Sequence, residues 1–276
     1  MTGMRGIWLG CVTLIALAGC EFGKPAKKVE PDSFTDTVGY EMKTIHDRAK
    51  DCGTRPDSTC TTATINYPLF KGQDALNDTL QSRLINLYVN GDEKPDSSLS
   101  AMVATYLTKY DEFKKDDERK DMFFELTEYA KVVSQDSALV AIEYGGYTYQ
   151  GGAHGSSFTG FLNWDPKTKK ALYLEDVLQP NTQKQLNKIG ERIFRKNENL
   201  KDTASLEQDY FFEDAKFVLN ENYLFTPVGI KFLYNEYEIK PYAAGQTELV
   251  IPWAELKTLL KPTSVVAHYL IKNAGI

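Results

Sequence analysis

The chain of 276 residues is 42% hydrophobic, 12% aromatic and 25% charged, which excludes a wholly disordered or fibrous protein. A net charge of −6 and a pI near 5.3 argue against nucleic-acid binding, because nucleic-acid-binding proteins carry strongly basic surfaces. The only histidines are His46, His154 and His268, too few to favour a multi-histidine catalytic metal centre. We therefore expect no metal and no cofactor. Sixteen tyrosines and fourteen phenylalanines favour β-structure and contact surfaces.

Residues 1–20 have the layout of a bacterial signal segment. Arg5 precedes the apolar stretch Ile7–Ala18, which is too short to span a membrane but fits a signal peptide. The stretch runs into Leu-Ala-Gly before Cys20, which resembles the cleavage site of bacterial lipoproteins. That resemblance implies that residues 1–19 are removed and that Cys20 carries acyl chains, which would anchor the protein to a membrane. A plain secretory signal or an N-terminal anchor is the alternative.

Glu21 follows the cysteine, where an aspartate would resemble the signal for retention in the inner membrane. In a Gram-negative cell this favours an outer-membrane lipoprotein that faces the periplasm. Residues 20–38 are charged, contain proline and have few large apolar groups, so they are predicted to form a tether. Loss of Arg5 with the signal peptide takes the formal net charge from −6 to −7.

The cysteines predict one disulfide. Once Cys11 is removed and Cys20 is acylated, Cys52 and Cys60 form an even pair outside the cytosol. Closing this loop corresponds to about 2.6 kcal/mol of stabilisation by chain entropy. The alternative is a metal site with His46, but the C-x7-C spacing matches no common zinc pattern.

The part of the chain at 39–120 is predicted to be rich in helices. Thr61–Phe70 alternates β-branched and apolar residues and is predicted to be a strand. Asp74–Tyr88 and Ser98–Phe113 carry apolar residues at helical spacing, which predicts two helices. The charge run at 114–121 is interpreted as a solvated turn.

The part at 121–276 is predicted to be rich in strands. The predicted strands are Met122–Val133, Ala138–Tyr149, Ser157–Trp164, Lys170–Leu174, Tyr223–Phe225, Ile230–Tyr234 and Leu249–Ile251. The predicted helices are Asn181–Lys196, Ser205–Asp214 and Trp253–Leu260. Turn-forming residues at 165–169 predict a hairpin. The whole pattern favours an α+β fold with a mixed or antiparallel sheet packed against several helices.

The first motif that could carry function is Gly151-Gly152-Ala153-His154-Gly155, which follows a predicted strand. Glycines permit positive φ and close backbone approach, so the motif predicts a constrained turn that carries an imidazole. Gly151, Gly152 and His154 are candidate partner contacts. The alternative is that His154 pins the hairpin turn through hydrogen bonds.

The second motif is the aromatic segment 222–245, in which Thr226–Gly229 is predicted to be a tight turn. Tyrosine combines a flat apolar face with a hydroxyl and often anchors interfaces. The candidate partner contacts in the proline-bearing loop are Tyr237, Glu238, Pro241 and Tyr242. Packing on strands is the alternative, and we favour it for Phe232 and Tyr234.

These motifs resemble the RsiV-like extracellular domain family. Its members include a lysozyme-sensing anti-sigma factor and domains beside peptidoglycan deacetylases of the PdaC type. The resemblance rests on G-G-A-H-G, N-W-D at 163–165, L-E-D-V-L at 174–178 and the segment 222–245, and it extends over 63–260. It implies an α+β domain that, in RsiV, binds lysozyme across its catalytic cleft.

The sequence departs from both relatives. Only six residues precede the apolar stretch, so we do not expect anti-sigma activity. We expect no separate deacetylase domain with metal-binding Asp and His residues either. The leading hypothesis is a non-catalytic, lipid-anchored envelope protein that binds lysozyme, another muramidase or another periplasmic protein. A negative net charge would speed its encounter with cationic lysozymes.

Two other classes of function stay open. The first is a module that binds peptidoglycan fragments, with exposed tyrosines stacking on sugar faces. The second is an enzyme, although the sequence has no H-E-x-x-H, no G-x-S-x-G and no phosphate-binding loop. The dipeptide Glu175-Asp176 could form a glycosidase pair but is interpreted as a helix cap or turn.

Overall fold

The structure is a computed structural model that describes residues 38–89, 91–116 and 122–273. The predicted signal peptide, Cys20 and almost all of the predicted tether lie outside the described residues. All described residues belong to one compact unit. No helix within these ranges is long and apolar enough to cross a membrane.

Among the described residues, nine strands form two sheets and six α-helices surround them. The strands are β1 (Tyr40–Arg48), β2 (Thr62–Phe70), β3 (Glu125–Gln135), β4 (Val140–Tyr149), β5 (Ser156–Asp165), β6 (Lys170–Ala171), β7 (Tyr223–Thr226), β8 (Gly229–Tyr234) and β9 (Thr247–Pro252). The helices are α1 (Asp74–Ile85), α2 (Leu99–Asp116), α3 (Leu174–Val177), α4 (Gln183–Asn197), α5 (Trp253–Leu256) and α6 (Ala267–Asn273). The predicted α+β class is confirmed.

The first sheet contains β1 to β6 in chain order. Its neighbours are antiparallel except β2 and β3, which are parallel because α1 and α2 form the crossover between them. The sheet therefore joins strands from both sides of residue 120, where the sequence pattern changes. The second sheet is the antiparallel meander of β7, β8 and β9.

The first sheet has one hydrophobic core on each face. Successive side chains of a strand point to opposite faces, and β4 shows this alternation clearly. Val140 and Ile142 belong to the core shared with α1 and α2, whereas Leu139 and Ala141 belong to the core shared with the second sheet, α4 and α5. The first sheet is thus the central layer of the fold.

Asn163 links the two sheets. Its side chain is buried, with the amide nitrogen donating to the carbonyl oxygen of Tyr223 at 3.0 Å. Its amide oxygen accepts from the backbone N–H of Phe225 at 2.7 Å. A strand-like pair of hydrogen bonds therefore joins β5 to β7 through a side chain, which fixes the position of the second sheet.

The predicted disulfide between Cys52 and Cys60 is confirmed, and both residues are buried beside the core of α1 and α2. His46 takes no part in this cluster. Its ring nitrogens lie 2.8 Å from the Thr64 hydroxyl and 3.4 Å from the Asp57 carboxylate. The alternative of a cysteine–histidine metal site is therefore wrong.

Three predicted elements differ from the structure. The strand predicted at Lys170–Leu174 covers only Lys170–Ala171, because Leu174 opens α3. The helix predicted at Trp253–Leu260 ends at Leu256, and Leu260 instead forms a β-bridge with Leu178. The charge run at 114–121 continues α2 as far as Asp116, and residues 117–121 lie outside the description.

The helix predicted at Ser205–Asp214 is wrong. The segment follows an irregular path that ends in a short 3₁₀ turn at Glu213–Ala215. The backbone N–H of Phe211 donates to Ile239 at 3.0 Å instead of to its own preceding turn. Leu206 and Tyr210 still reach the core from one local turn, in which the Tyr210 N–H donates to the Leu206 carbonyl at 3.0 Å, but the helix does not continue beyond it.

Candidate functional site

The two sequence motifs meet in space. The glycine-rich turn joins β4 to β5, and the tyrosine-bearing loop joins β8 to β9. The His154 ring stacks on Tyr242 with centroids 4.3 Å apart and planes 19° apart. Tyr237 lies 5.4 Å from Tyr242 and 6.4 Å from His154, centroid to centroid. These three residues form a cluster that we call the aromatic patch.

His154 has two roles in this arrangement. Its Nδ1 lies 2.7 Å from the carbonyl oxygen of Gly155, so that nitrogen carries the proton and donates it. Its Nε2 lies 3.5 Å from the Tyr237 hydroxyl. His154 therefore pins its own turn, as one interpretation predicted, while its exposed ring also forms part of the patch.

Two glycines of the turn sit where a side chain would meet a neighbour, and one of them also has a positive φ. Gly151 has a φ of 87°, and a Cβ there would lie 2.1 Å from the Met122 sulfur. A Cβ on Gly155 would lie 2.2 Å from the Tyr147 ring. Gly152 meets nothing closer than 3.5 Å, so space does not demand a glycine at that position.

The loop that carries Tyr237 has an unusual backbone. Tyr237 adopts a left-handed φ of 66° and its side chain is 57% exposed. Pro241 precedes a 3₁₀ turn, Tyr242–Ala244, and its carbonyl accepts the N–H of Ala244 at 2.9 Å. This turn places Tyr242 beside His154 while Tyr237 projects towards solvent.

Glu238 supports this loop from within. One carboxylate oxygen accepts from the Asn220 side chain at 2.7 Å, and the other accepts from the backbone N–H of Asn235 at 2.8 Å. Both oxygens are therefore engaged in intramolecular hydrogen bonds. Glu238 therefore holds the loop that carries Tyr237, and its role as a partner contact stays a prediction.

A network of side-chain amides attaches the loop to β5, and the sequence analysis missed it. Asn235 accepts from the Thr159 N–H at 2.8 Å and donates to the Thr159 carbonyl at 3.0 Å. Asn222 donates to the same carbonyl at 2.8 Å, and Gln246 donates to the Thr159 hydroxyl at 3.1 Å. These bonds connect segments far apart in sequence, so no local pattern could predict them.

A polar groove lies beside α1, and its walls include Asn235 and Glu238 of the tyrosine-bearing loop but none of the three patch residues. Two cavities of about 410 and 780 Å³ share Arg83, Tyr173, Glu221 and Tyr223 in their walls. The Tyr173 ring is 47% exposed. A cationic side chain, a carboxylate and a flat ring in one groove are suited to a polar ligand such as a sugar.

The candidate catalytic dipeptide is a helix cap. The Asp176 carboxylate accepts from the backbone N–H of Tyr173 at 2.8 Å and completes a capping box at the start of α3. This confirms the interpretation of Glu175-Asp176 as a cap. No group of three or more His, Cys, Asp or Glu side chains suited to a metal ion occurs within 38–89, 91–116 and 122–273.

The third histidine belongs to a structural cluster. His268 Nε2 lies 3.0 Å from the Asp136 carboxylate, and the Tyr269 hydroxyl donates to the same oxygen at 2.6 Å. Burial opposes ionisation of Asp136, but the hydrogen bonds from Tyr269, Ala138 and His268 outweigh it and lower its pKa. The cluster holds α6 against the turn between β3 and β4.

Two families match separate parts of the chain. Residues 55–157 match the family described as "Deacetylase PdaC", and residues 175–254 match that described as "Protein of unknown function (DUF3298)". The glycine-rich turn lies in the first match and the tyrosine loop in the second. The aromatic patch is therefore formed where the two matched segments meet.

One similar protein is the peptidoglycan-N-acetylmuramic acid deacetylase PdaC of Bacillus subtilis strain 168. It is 24% identical over 208 residues, which cover 71% of this chain and 38% of the relative. The chain thus spans well under half the length of that relative.

Two crystal structures share the fold. A DUF3298 family protein from Pseudomonas aeruginosa PAO1 has a TM-score of 0.66 and 24% identity, covering 82% of this chain and 95% of its own. A DUF3298 family member from Bacteroides fragilis NCTC 9343 has a TM-score of 0.65 and 21% identity, covering 84% of this chain and 97% of its own. The two family matches and the Bacillus relative fit the PdaC/DUF3298 family, which confirms the PdaC part of the predicted resemblance.

Proposed function

We propose that this chain is a non-catalytic, lipid-anchored cell-envelope protein whose aromatic patch binds a protein partner, with lysozyme or another muramidase as the first candidate. The observation that carries the proposal is the convergence of two distant motifs into one surface cluster, in which His154 and Tyr237 are exposed and Tyr242 is half-buried. Tyrosine is enriched among the residues that dominate the energy of protein interfaces. The patch therefore has the composition of an interface centre.

The backbone of Tyr237 supports this proposal. A non-glycine residue in the left-handed region costs on the order of 1–2 kcal/mol, and such strain concentrates at functional sites. The ring is 57% exposed, so core packing does not compensate for that cost. Contact with a partner protein would account for a strained residue whose ring projects into solvent.

The comparisons and the charge support an envelope role. The Bacillus relative is named as an enzyme that acts on N-acetylmuramic acid of peptidoglycan. The motifs that build the patch are those that resemble the lysozyme-binding domain of RsiV. A formal charge of −6 favours encounter with a cationic muramidase. The chain itself is proposed to bind the muramidase rather than to modify the wall.

The test is calorimetric binding of the full chain, held in detergent, to a purified lysozyme, with muramidase activity followed in parallel. Replacing Tyr237 and Tyr242 together by Ala is expected to weaken binding by about 100-fold or more, since interface centres contribute at least 2 kcal/mol per residue. Tyr173→Ala, which removes an exposed tyrosine outside the patch, is the matched control and should bind unchanged. Unaltered binding by the double variant would remove the patch from the proposal.

The second candidate function is binding of a peptidoglycan fragment in the polar groove. The exposed Tyr173 ring beside Arg83 and Glu221 favours it, because sugars stack on flat rings and pair with charged groups. The same variants separate the two candidates when purified muropeptides replace lysozyme. A glycan site predicts that Tyr173→Ala loses muropeptide binding while the double patch variant keeps it.

Lipid attachment at Cys20 is tested separately. We expect the wild-type chain, expressed in a Gram-negative host, to fractionate with the outer membrane and to gain the mass of its acyl chains. Cys20→Ser should appear in the soluble periplasmic fraction without that mass. A Cys20→Ser chain that still carries lipid would contradict the assignment.

A further inference from the structure

A carboxyl group is buried in the layer between the first sheet and the helices α1 and α2. Glu128 lies in the middle of β3, on the same face as Leu126 and Ala130, and it is 0% exposed. Its antiparallel neighbour in β4 is Gly146. A Cβ on Gly146 would lie 3.0 Å from Cγ of Glu128 and 2.6 Å from the Thr127 carbonyl, so this glycine leaves room for the acid.

Neither carboxylate oxygen of Glu128 has a hydrogen-bond partner among the residues that the structure describes. The buried hydroxyl of Tyr88 is likewise without one there. Burying an unpaired polar group costs free energy, and an orphaned group in a native fold calls for an explanation. Burial also raises the pKa of Glu128 to about 8, so its carboxyl group is mostly neutral at pH 7.

These two groups line a cavity of about 300 Å³. Apolar and aromatic walls come from α1, α2 and β3: Ile85, Met102, Tyr106 and Leu126. The rest of the lining is mostly polar or charged: Glu93, Lys94, Asp96, Thr105, Lys109 and Gln150. Small-molecule sites usually combine apolar walls with a few placed polar groups, and this volume is at the lower end of their range. Glu128 and Tyr88 are the lining residues whose polar atoms are fully buried and unpaired among the described residues.

Charged side chains lie where the cavity meets solvent. Exposed Lys109 pairs with Glu93 at 2.9 Å, and Asp96 accepts from the Thr105 hydroxyl at 2.8 Å. Lys94 lies on the same rim. Lys109 therefore pairs with Glu93 at the surface. Glu128 is the acid of the lining that lies in the interior.

We propose that this cavity binds a small molecule that carries a primary ammonium group on a compact apolar body. A turn of both side chains towards the cavity would expose the buried Glu128 carboxylate and Tyr88 hydroxyl oxygen to the ammonium, which would donate to them. The Tyr88 and Tyr106 rings offer cation–π attraction. Ile85, Met102 and Leu126 would cover the apolar body. A divalent metal fits poorly, since one carboxyl and one phenol supply fewer oxygens than Ca²⁺ or Mg²⁺ requires.

The proposal has a pH signature. The titratable and charged groups that face Glu128 or line its cavity are Tyr88, Tyr106, Glu93, Lys94, Asp96 and Lys109. The pKa values of Tyr88 and Tyr106 are raised, chiefly by burial, so both stay neutral across the working range. Binding a cation requires Glu128 to lose its proton. Affinity should therefore rise by about tenfold per pH unit below pH 8, with release of one proton per ligand.

The test uses the full chain in detergent, with n-butylammonium as the probe and 1-pentanol as its neutral counterpart of similar shape. Saturation-transfer NMR and calorimetry are expected to show saturable butylammonium binding and at least about tenfold weaker binding of the alcohol. Glu128→Gln keeps the shape and removes the charge, so it should weaken butylammonium binding by at least about tenfold without lowering the melting temperature. Calorimetry in buffers of different ionisation enthalpy measures the released proton.

Two further variants keep the test decisive. Tyr88→Phe removes only the hydroxyl and serves if Glu128→Gln does not fold; it too should weaken butylammonium binding. The double Tyr237→Ala and Tyr242→Ala variant should bind butylammonium normally, which separates this cavity from the patch. Equal binding of butylammonium to wild type and to Glu128→Gln, or no saturable binding at millimolar probe, would overturn the proposal.

Discussion

The aromatic patch and the Glu128 cavity are built on opposite principles. The patch lies on two loops at the surface, exposes His154 and Tyr237 beside half-buried Tyr242, and consists of residue types that the sequence marks as candidates. The cavity lies between a sheet and two helices, opens to solvent at a charged rim and depends on one buried acid in an apolar position. Changes in the patch should alter binding with little effect on stability, whereas changes around the buried acid should alter stability itself.

The largest expected effect is the pH dependence that Glu128 gives to stability. Its pKa is about 8 in the folded chain and near 4.5 when exposed, so the folded state holds one more proton between these values. The free energy of unfolding should therefore fall as pH rises from about 4.5 to about 8, by about 1.4 kcal/mol per pH unit. Urea denaturation of the wild-type chain across this range measures the slope.

Glu128→Gln removes this titration and should flatten the slope by that amount, while other groups contribute equally to both proteins. The variant should gain stability relative to wild type at the alkaline end, where the wild-type acid is forced to ionise. Equal slopes of unfolding free energy against pH for the two proteins would mean that Glu128 does not titrate in a buried site. The cavity would then no longer differ from the patch in its effect on stability.

The next effect concerns the connection between the sheets. Asn163→Ala leaves the Tyr223 carbonyl and the Phe225 N–H without their side-chain partner in a buried place. We expect a loss of about 2–4 kcal/mol in the free energy of unfolding, since each such group costs 1–3 kcal/mol. Asn197→Ala, at the exposed end of α4, is the control and should change stability by no more than about 0.5 kcal/mol. Similar values for both variants would show that the sheets hold together without Asn163.

A smaller effect is expected in the glycine-rich turn. Gly155→Ala would place a Cβ 2.2 Å from the Tyr147 ring, whose end can swing outward. The cost should be about 1–2 kcal/mol, together with weaker binding of the protein partner because His154 moves with its turn. Gly152→Ala has open space and should leave both stability and binding unchanged. If Gly155→Ala binds as wild type does, the turn does not position the patch.

The sequence predicted the elements whose side chains alternate or recur with a clear period. β2, α1 and α2 were identified in this way, because one face of each is buried. β1 was missed because it is an edge strand with Tyr40 and Met42 exposed, so no apolar phase marks it. The segment at 205–214 has apolar spacing but forms a single turn, after which the Phe211 N–H pairs with distant Ile239, a contact that no local pattern shows.

The candidate sites differ in the same way. His154, Tyr237 and Tyr242 could be chosen from residue type and loop context, although their contact across 83 positions required the fold. Glu128 occupies the apolar phase of β3 between Leu126 and Ala130, and that conflict was a signal in the sequence that went unused. The hydrogen-bond partners of Asn163 and Asn235 are set by how the strands pack, so the sequence around these residues does not predict them.

We expect the smallest change in stability at Tyr237. This position should also show the clearest difference between the effect on stability and the effect on binding. Glycine adopts the left-handed region without penalty, so Tyr237→Gly should keep or raise the free energy of unfolding by up to about 1 kcal/mol. The same change removes the projecting ring and should abolish most of the partner affinity. Tyr237→Ala keeps the backbone cost and is the matched control for the ring alone. Thermal unfolding and lysozyme calorimetry on both variants measure the two quantities independently. A clear loss of stability in Tyr237→Gly would show that the ring is held for packing, and the patch would then belong with the interior rather than with the binding surface.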